Sequence, residues 1–316
     1  VTLHRASSVD DAIAADGIYR AGGTDLQERV RHLSDAPAIV DLAGIAELTG
    51  IDSEGDGLRI GALVTVADLA ARLADSHPAV ALTAAGLATP QIRAVATLGG
   101  NLTQRTRCWY YRHPGLGCVK SGGTSCPARD GDHLLGVVFD RGPCVHPHPS
   151  SLGMALLASD ADVSIAGRGR IPVADLFGDG ADPRRDHLLD DGELLTHVHL
   201  PPAWPGERAA YHRVISRFEA EWPLVEAVAR LAVTDDVITR AAVAVGGVAT
   251  VPLRLPAVGE VLTGRPPTAG TLDAASREAA VGATPLPMTR YKVDLLVATV
   301  LEVLERATRP DGAVTG

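Results

Sequence analysis

The sequence predicts an α+β chain built from separate subdomains, on three observations. Its 316 residues exceed the roughly 250 that one hydrophobic core ordinarily serves. Strands and helices follow one another without the regular βαβ alternation of a doubly wound sheet. The segment Pro201-Pro202-Ala203-Trp204-Pro205-Gly206 carries three prolines in five residues, which continue neither a helix nor a central strand, so it reads as an interdomain linker.

Composition narrows the function classes. Hydrophobic residues make up 46% and charged ones 21%, an ordinary globular balance that excludes general disorder. Only 3% of residues are aromatic and the net charge is −9, so nucleic-acid binding is not expected. No membrane insertion is expected either, because the longest apolar stretch, Ala241 to Leu253, falls short of the roughly 20 residues that span a bilayer. The first residues include Asp10, Asp11 and Asp16 and no apolar run, unlike a signal peptide. The expected location is cytoplasmic, or periplasmic only if a signal-bearing partner carries the folded chain across.

Ser8 with Asp11 opens a helix over 9–15 as a capping box, and Ile18 to Arg20 follow as a strand. Ala21-Gly22-Gly23-Thr24-Asp25-Leu26 then makes a tight turn into a helix over 25–32. A strand over 37–42 and a hairpin of Ile51 with Leu58 to Ile60 come next. Thr65 with Asp68 caps a helix to about Leu73, and a second runs from Pro78 to Leu87. A helix over 152–159 precedes a hairpin of 161–166 with 170–173. Beyond the linker, Val225, Ala227, Ala229, Leu231 and Val233 alternate at period two and pair with a strand over 237–245. Helices over 257–263, 272–281 and 290–307 close the chain, the last with Leu295, Leu296, Thr299, Val300, Val303 and Leu304 on one face.

Two glycine pairs and four cysteines carry the chemistry. Gly22-Gly23 and Gly99-Gly100 each sit beside small polar residues, so two loops suggest one extended ligand touched twice. The chain has neither a G-x-G-x-x-G nor a G-x-x-x-x-G-K-[ST] motif. Backbone N–H groups of the loops, with Thr24, Thr97 and Asn101, nevertheless suit a diphosphate. Cys108, Cys118, Cys126 and Cys144 have nine, seven and seventeen residues between them, without the C-x-x-C pairs of zinc ribbons and ferredoxins. A [4Fe–4S] site, a four-cysteine zinc site and free thiols all remain open on spacing alone. His113, His133, His146 and His148 are alternative ligands, with exposed loop histidines the commoner case.

The chain resembles the FAD-binding, medium subunit of the molybdenum hydroxylases, the xanthine dehydrogenase and aldehyde oxidoreductase family. The resemblance rests on Ala21 to Leu26, Thr97-Leu98-Gly99-Gly100-Asn101-Leu102, Tyr211-His212-Arg213 through Glu221-Trp222-Pro223-Leu224-Val225, Gly246-Gly247-Val248-Ala249 and Tyr291-Lys292-Val293. It implies a two-subdomain FAD-binding fold of the vanillyl-alcohol-oxidase and molybdopterin-dehydrogenase type, plus a C-terminal α+β domain. The implied divisions are 1–53, 54–200 with a cysteine-rich loop over 104–149, and 207–311. Implied FAD contacts are Ala21, Gly22, Gly23, Thr24, Asp25, Leu26, Thr97, Gly99, Gly100, Asn101, Thr106, Ser151 and Arg213.

The cysteine window resembles the branch whose flavin subunit carries an extra [4Fe–4S] cluster, which implies Cys108, Cys118, Cys126 and Cys144 as its ligands. Two positions depart from the family. Ser151 stands where Pro-Ser-Asp is usual, and Arg213 where a lysine often lies near the flavin. The implied function is an oxidoreductase subunit that passes electrons through FAD, with a molybdenum-cofactor large subunit and a [2Fe–2S] small subunit as partners and no catalytic acid or base of its own. The alternative is a scaffold subunit with weak FAD binding and a zinc site on the four cysteines.

Overall fold

The computed structural model describes residues 2–30, 38–113, 115–217 and 221–309. Three sheets organise them. The first contains β1 (Leu3–Arg5), β2 (Ile18–Arg20) and β3 (Ile39–Asp41), all parallel, in the order β1-β3-β2. Such short strands hold because Val40, at the centre, is fully buried with Ala12, Ile45 and Leu48. Ser8 Oγ accepts the Asp11 N–H as the capping pattern requires, but the Asp11 carboxylate accepts the N–H of Ser7, one residue further back. The helix after β2 is described over Leu26–Val30; Arg31, His32 and Pro37 of the elements expected there lie outside the described residues.

The second sheet is antiparallel, with β4 (Ile51–Glu54), β5 (Gly57–Gly61), β6 (Asp162–Ile165), β7 (Gly169–Pro172) and β8 (Leu195–Leu200) in the order β4-β5-β8-β6-β7. Helices Val66–Arg72, Pro78–Ala85, Leu98–Leu102 and Ser151–Ala158 come from the long excursion between β5 and β6. Ser151–Ala158 is apolar around most of its circumference and buried at every residue, so it forms part of the core.

The third sheet, also antiparallel, runs β12 (Leu253–Arg254), β11 (Val237–Gly246), β10 (Val225–Thr234), β9 (Glu207–Val214). The terminal helix Tyr291–Thr308 packs on one side of it, and the helices Pro78–Ala85 and Ser151–Ala158 on the other. Both faces of β10 are therefore buried, including Glu226 and Arg230, where period-two alternation alone expects one covered face. Arg230 is held by a two-pronged pair with Glu207 at 2.8 and 2.7 Å and by the carbonyl of Ala158 at 2.9 Å. Its guanidinium lies 4.3 Å from the ring of Trp204, and so does that of Arg240. The proline-rich linker is thus anchored through Trp204 to the third sheet.

Lys292, at the start of the terminal helix, ties the motif at Gly246 to Ala249 and the cysteine-rich loop to its own motif. Its ammonium donates to the carbonyls of Leu135 at 3.1 Å, Gly136 at 2.9 Å and Gly247 at 3.1 Å. Burial pushes its pKa down to about 7, while three acceptors, one for each N–H, act to keep the proton. Val138 N–H and Phe139 N–H also donate to Val248 O, so the cysteine-rich loop is stitched to the third sheet. Lys292→Met is expected to leave these carbonyls unpaired, lowering stability by about 3 kcal/mol. Faster amide hydrogen exchange over 134–139 is the check; unchanged exchange would refute the clamp.

Candidate functional site

Two clefts meet at Gly100. The inner one, of about 370 Å³, is bordered by Thr24 and Asp25 after β2, by Asn101, by Ser151, by Arg213 on β9 and by Trp222. It is thus walled by the turn after β2, by helices of the excursion between β5 and β6, and by β9 of the third sheet with the segment that follows it. The outer one, of about 1180 Å³, is bordered by Ala21, Gly99, Arg29, Arg105, Arg184, Arg185 and His187, with Asp16, Asp190, Asp191 and Glu193 on its rim. Four arginines and four carboxylates thus line it, and Arg29, Arg105 and Arg185 are already paired with Asp25, Asp186 and Asp190.

The two glycine pairs do different work. Gly23 has φ +72°, a left-handed turn between Ala21 in the outer cleft and Thr24 in the inner one. A Cβ on Gly22 would stand 1.8 Å from the carbonyl oxygen of Val95, so Gly22 serves close packing of the protein on itself. The second pair lies inside the short helix Leu98–Leu102 instead of a loop. Thr97 Oγ1 caps that helix by accepting the Gly100 N–H at 3.2 Å, because a small polar N-cap followed by glycines lets the backbone close there. Gly99 packs on Ala62, whereas a Cβ on Gly100 would meet only Thr97 Oγ1, at 3.0 Å.

Of the residues expected from sequence, Ala21, Thr24, Asp25, Gly99, Gly100, Asn101, Ser151 and Arg213 border the clefts. Gly22, Gly23, Leu26, Thr97 and Thr106 border neither. Leu26 and Thr97 are buried as packing and cap. Thr106 Oγ1 lies 2.9 Å from His146 Nδ1, and its N–H donates to Asp186. Asp25 is largely engaged within the protein, its carboxylate taking Arg107 and Arg112, each at 2.6 Å, and the Arg105 N–H at 3.1 Å. Arg107 in turn lies 4.7 Å from the ring of Trp222. Sequence motifs alone do not mark these arginines and Trp222 as site residues, although Arg105, Arg107 and the pair Arg184-Arg185 are basic points in an acidic sequence.

Among the described residues, four buried polar atoms of cleft-lining side chains lack hydrogen-bond partners: Ser151 Oγ and Arg107 Nε in the inner cleft, His187 Nδ1 and Arg105 Nε in the outer. Burial pushes the His187 pKa down to about 4, so its imidazole is neutral at neutral pH. Orphaned buried groups of this kind need a ligand or water to complete them.

The cysteine-rich loop is packed and irregular. All four cysteines are free, and each is 3–7% exposed. Cys118, Cys126 and Cys144 share a small core with Val119, Val137 and Val145. Burial pushes the Cys108 thiol up, and that of Cys144 to about 11. Among the described residues no group of three or more His, Cys, Asp or Glu side chains is set to hold a metal ion, so the geometry does not support the four-cysteine zinc site expected as an alternative. Of the loop histidines, His113 is exposed as expected and the others are not. His133 and His148 are buried, and burial pushes His146 and His148 down to about 4.

Elsewhere, Ser164 Oγ, His199 and Glu54 form a chain with contacts of 2.7 and 2.8 Å, resembling a hydrolytic triad. Ser164 lies within β6 between β7 and β8, where the strand backbone serves the ladder and offers no oxyanion donors, so the chain is structural. No helix among the described residues is long and apolar enough to cross a membrane.

Residues 1–203 match the family described as the FAD binding domain in molybdopterin dehydrogenase, and residues 210–307 the CO dehydrogenase flavoprotein C-terminal domain. The aldehyde oxidoreductase FAD-binding subunit PaoB of Escherichia coli (strain K12) is 34% identical over 253 residues, 76% of this chain and 77% of that protein. The nicotinate dehydrogenase FAD-subunit of Eubacterium barkeri is 25% identical over 284 residues, 86% of this chain and 78% of that protein. A chain of the Cu,Mo-CO dehydrogenase in its cyanide-inactivated form has the same fold, with a TM-score of 0.75 and 23% identity over 97% of this chain and 96% of that one.

Proposed function

Because the chain belongs to the FAD-binding medium subunits of the molybdenum hydroxylases, of the xanthine dehydrogenase and carbon monoxide dehydrogenase type, we propose that it is the electron-transfer subunit of a heterotrimer. In this reading a molybdenum-cofactor large subunit oxidises an aldehyde or N-heterocycle, and a small [2Fe–2S] subunit delivers the electrons. The complex acts in the cytoplasm, unless a partner bearing a signal carries it out.

One observation carries the reading: a wide cleft lined by four arginines and four carboxylates and a narrower one share a glycine wall, and each holds orphaned polar atoms. That arrangement fits a dinucleotide with a charged and a planar end. Bound FAD supplies reversible electron uptake, the chemistry this chain lacks in its own side chains. Gly100, which borders both clefts, leaves room for a diphosphate, and the arginines of the outer cleft offer it charge-assisted donors. Asn101 is fixed because its Oδ1 accepts from Ser150 Oγ at 2.7 Å, which turns its amide N–H groups elsewhere. Ser151 offers a hydroxyl and Arg213 a cation to the inner cleft.

We extend the proposal to a [4Fe–4S] cluster on Cys108, Cys118, Cys126 and Cys144. Four buried, unbridged thiols in one loop have the donor chemistry for it, and a four-iron cube needs ligands spread more widely than a single ion does. Protein purified with its partners is expected to release one FAD per chain on denaturation, and this subunit to contain iron and sulfide in equal amounts. Absence of FAD would overturn the flavin reading. Zinc, or iron without sulfide, would overturn the cluster alone.

A further inference from the structure

Behind the inner cleft lies a carboxyl group to which the flavin reading gives no task. Glu226 on β10 is 1% exposed, and the Tyr211 hydroxyl on β9 donates to its Oε2 at 2.7 Å. Two glycines make room for this pair. A Cβ on Gly246 would stand 2.5 Å from Glu226 Oε1, and a Cβ on Gly86 2.5 Å from Tyr211 Cε1. Ser151 Oγ, buried and bordering the cleft, faces both groups without a hydrogen bond of normal geometry to either. Arg213 stands directly across the ladder from Glu226 and is the charged group acting on it, with Tyr211 and Ser151 as the polar ones.

We propose that Glu226 is a positioning residue for the flavin, acting through Ser151, whose hydroxyl it turns toward or away from the cleft; this rests on the FAD reading above. A protonated Glu226 donates to Ser151 Oγ and frees the serine O–H for the cleft. An ionised Glu226 takes that O–H and leaves a lone pair facing the cleft. Burial raises the Glu226 pKa above the usual carboxylate range, opposed by hydrogen bonds from Tyr211 and Ser151 and by the charge of Arg213. Negative charge gained in the cleft on reduction repels an ionised Glu226. As pH rises through the Glu226 pKa, the flavin therefore becomes harder to reduce.

The test is the midpoint potential of FAD bound to the full chain, equilibrated with reference dyes from mildly acid to mildly alkaline pH. The wild-type plot is expected to show a downward inflection that E226Q, isosteric and uncharged, lacks. Y211F removes a hydrogen bond that favours the ionised form, so its inflection moves to higher pH; this shift decides the matter if E226Q does not fold or hold FAD. A wild-type plot without inflection, an identical inflection in E226Q, or an unmoved one in Y211F overturns the inference. A wild-type chain that binds no FAD overturns the flavin reading itself, and this inference with it.

Discussion

Gly100→Leu is expected to remove FAD from a chain that remains folded. Gly100 borders both clefts, and an added side chain would meet only Thr97 Oγ1, so leucine occupies the space where the clefts join. Its position inside the helix Leu98–Leu102 makes leucine acceptable to the backbone, since glycine costs about 1 kcal/mol relative to good helix formers there. Losing one charge-assisted contact to a diphosphate costs about 1.5–3 kcal/mol, so flavin affinity should fall at least about tenfold. Flavin fluorescence titration measures the loss, and circular dichroism checks the fold. Gly22→Ala makes the contrast: its Cβ would stand 1.8 Å from the Val95 carbonyl oxygen, so that variant should lose stability first. Full FAD occupancy in Gly100→Leu would remove the shared glycine wall from the binding site.

Asp186→Ala should destabilise the cysteine-rich loop more than any surface change. Asp186 is 2% exposed, 2.9 Å from Lys120 Nζ, and also accepts the Thr106 N–H. Arg105 Nε lies 2.8 Å away, out of hydrogen-bond alignment. Removing the carboxylate strands the buried Lys120 ammonium, a change that ordinarily costs about 3–5 kcal/mol. Denaturant unfolding monitored with limited proteolysis of 104–149 is the measurement; a loss under about 1 kcal/mol would show the ion pair to be dispensable.

Burial opposes ionisation of Asp186, yet Lys120 and Arg105 hold its carboxyl below the usual range. A carboxyl depressed in the folded state contributes stability above its unfolded pKa of about 3.9, and that stability is lost as pH falls through the folded value. The wild-type loop should therefore open in acid below about pH 4, and Asp186→Ala should show little further loss there.

Local chemistry determined much of this protein from sequence alone. Ser8 and Thr65 cap the helices their spacing announced, because an N-cap hydroxyl acts on N–H groups only two or three residues away. The strand at Ile18–Arg20, the hairpin Ile51–Gly61 and the terminal helix rest on hydrophobic period and turn residues, which are equally local. The family motifs at Ala21 to Leu26 and Thr97 to Leu102 likewise pointed to the region where the clefts meet.

Tertiary structure decided which members of those motifs face the clefts. Gly22 and Gly23 border neither cleft, whereas their neighbours Ala21 and Thr24 do; Gly22 packs against the Val95 carbonyl and Gly23 makes the left-handed turn. Asp25 belongs to a motif at the N-terminal end, but its arginine partners lie some eighty residues on. Lys292 stands in the sequence only as part of the motif Tyr291-Lys292-Val293, and its task is visible once Leu135, Gly136 and Gly247 are brought around it. Burial on both faces of β10 depends on helices from two other segments, so period-two alternation could not announce Glu226 as a buried carboxyl. Caps, turns and periodicity act over a few residues and are written in order along the chain. Desolvation and charge pairing depend on distances in space, and those exist only once the three sheets have packed.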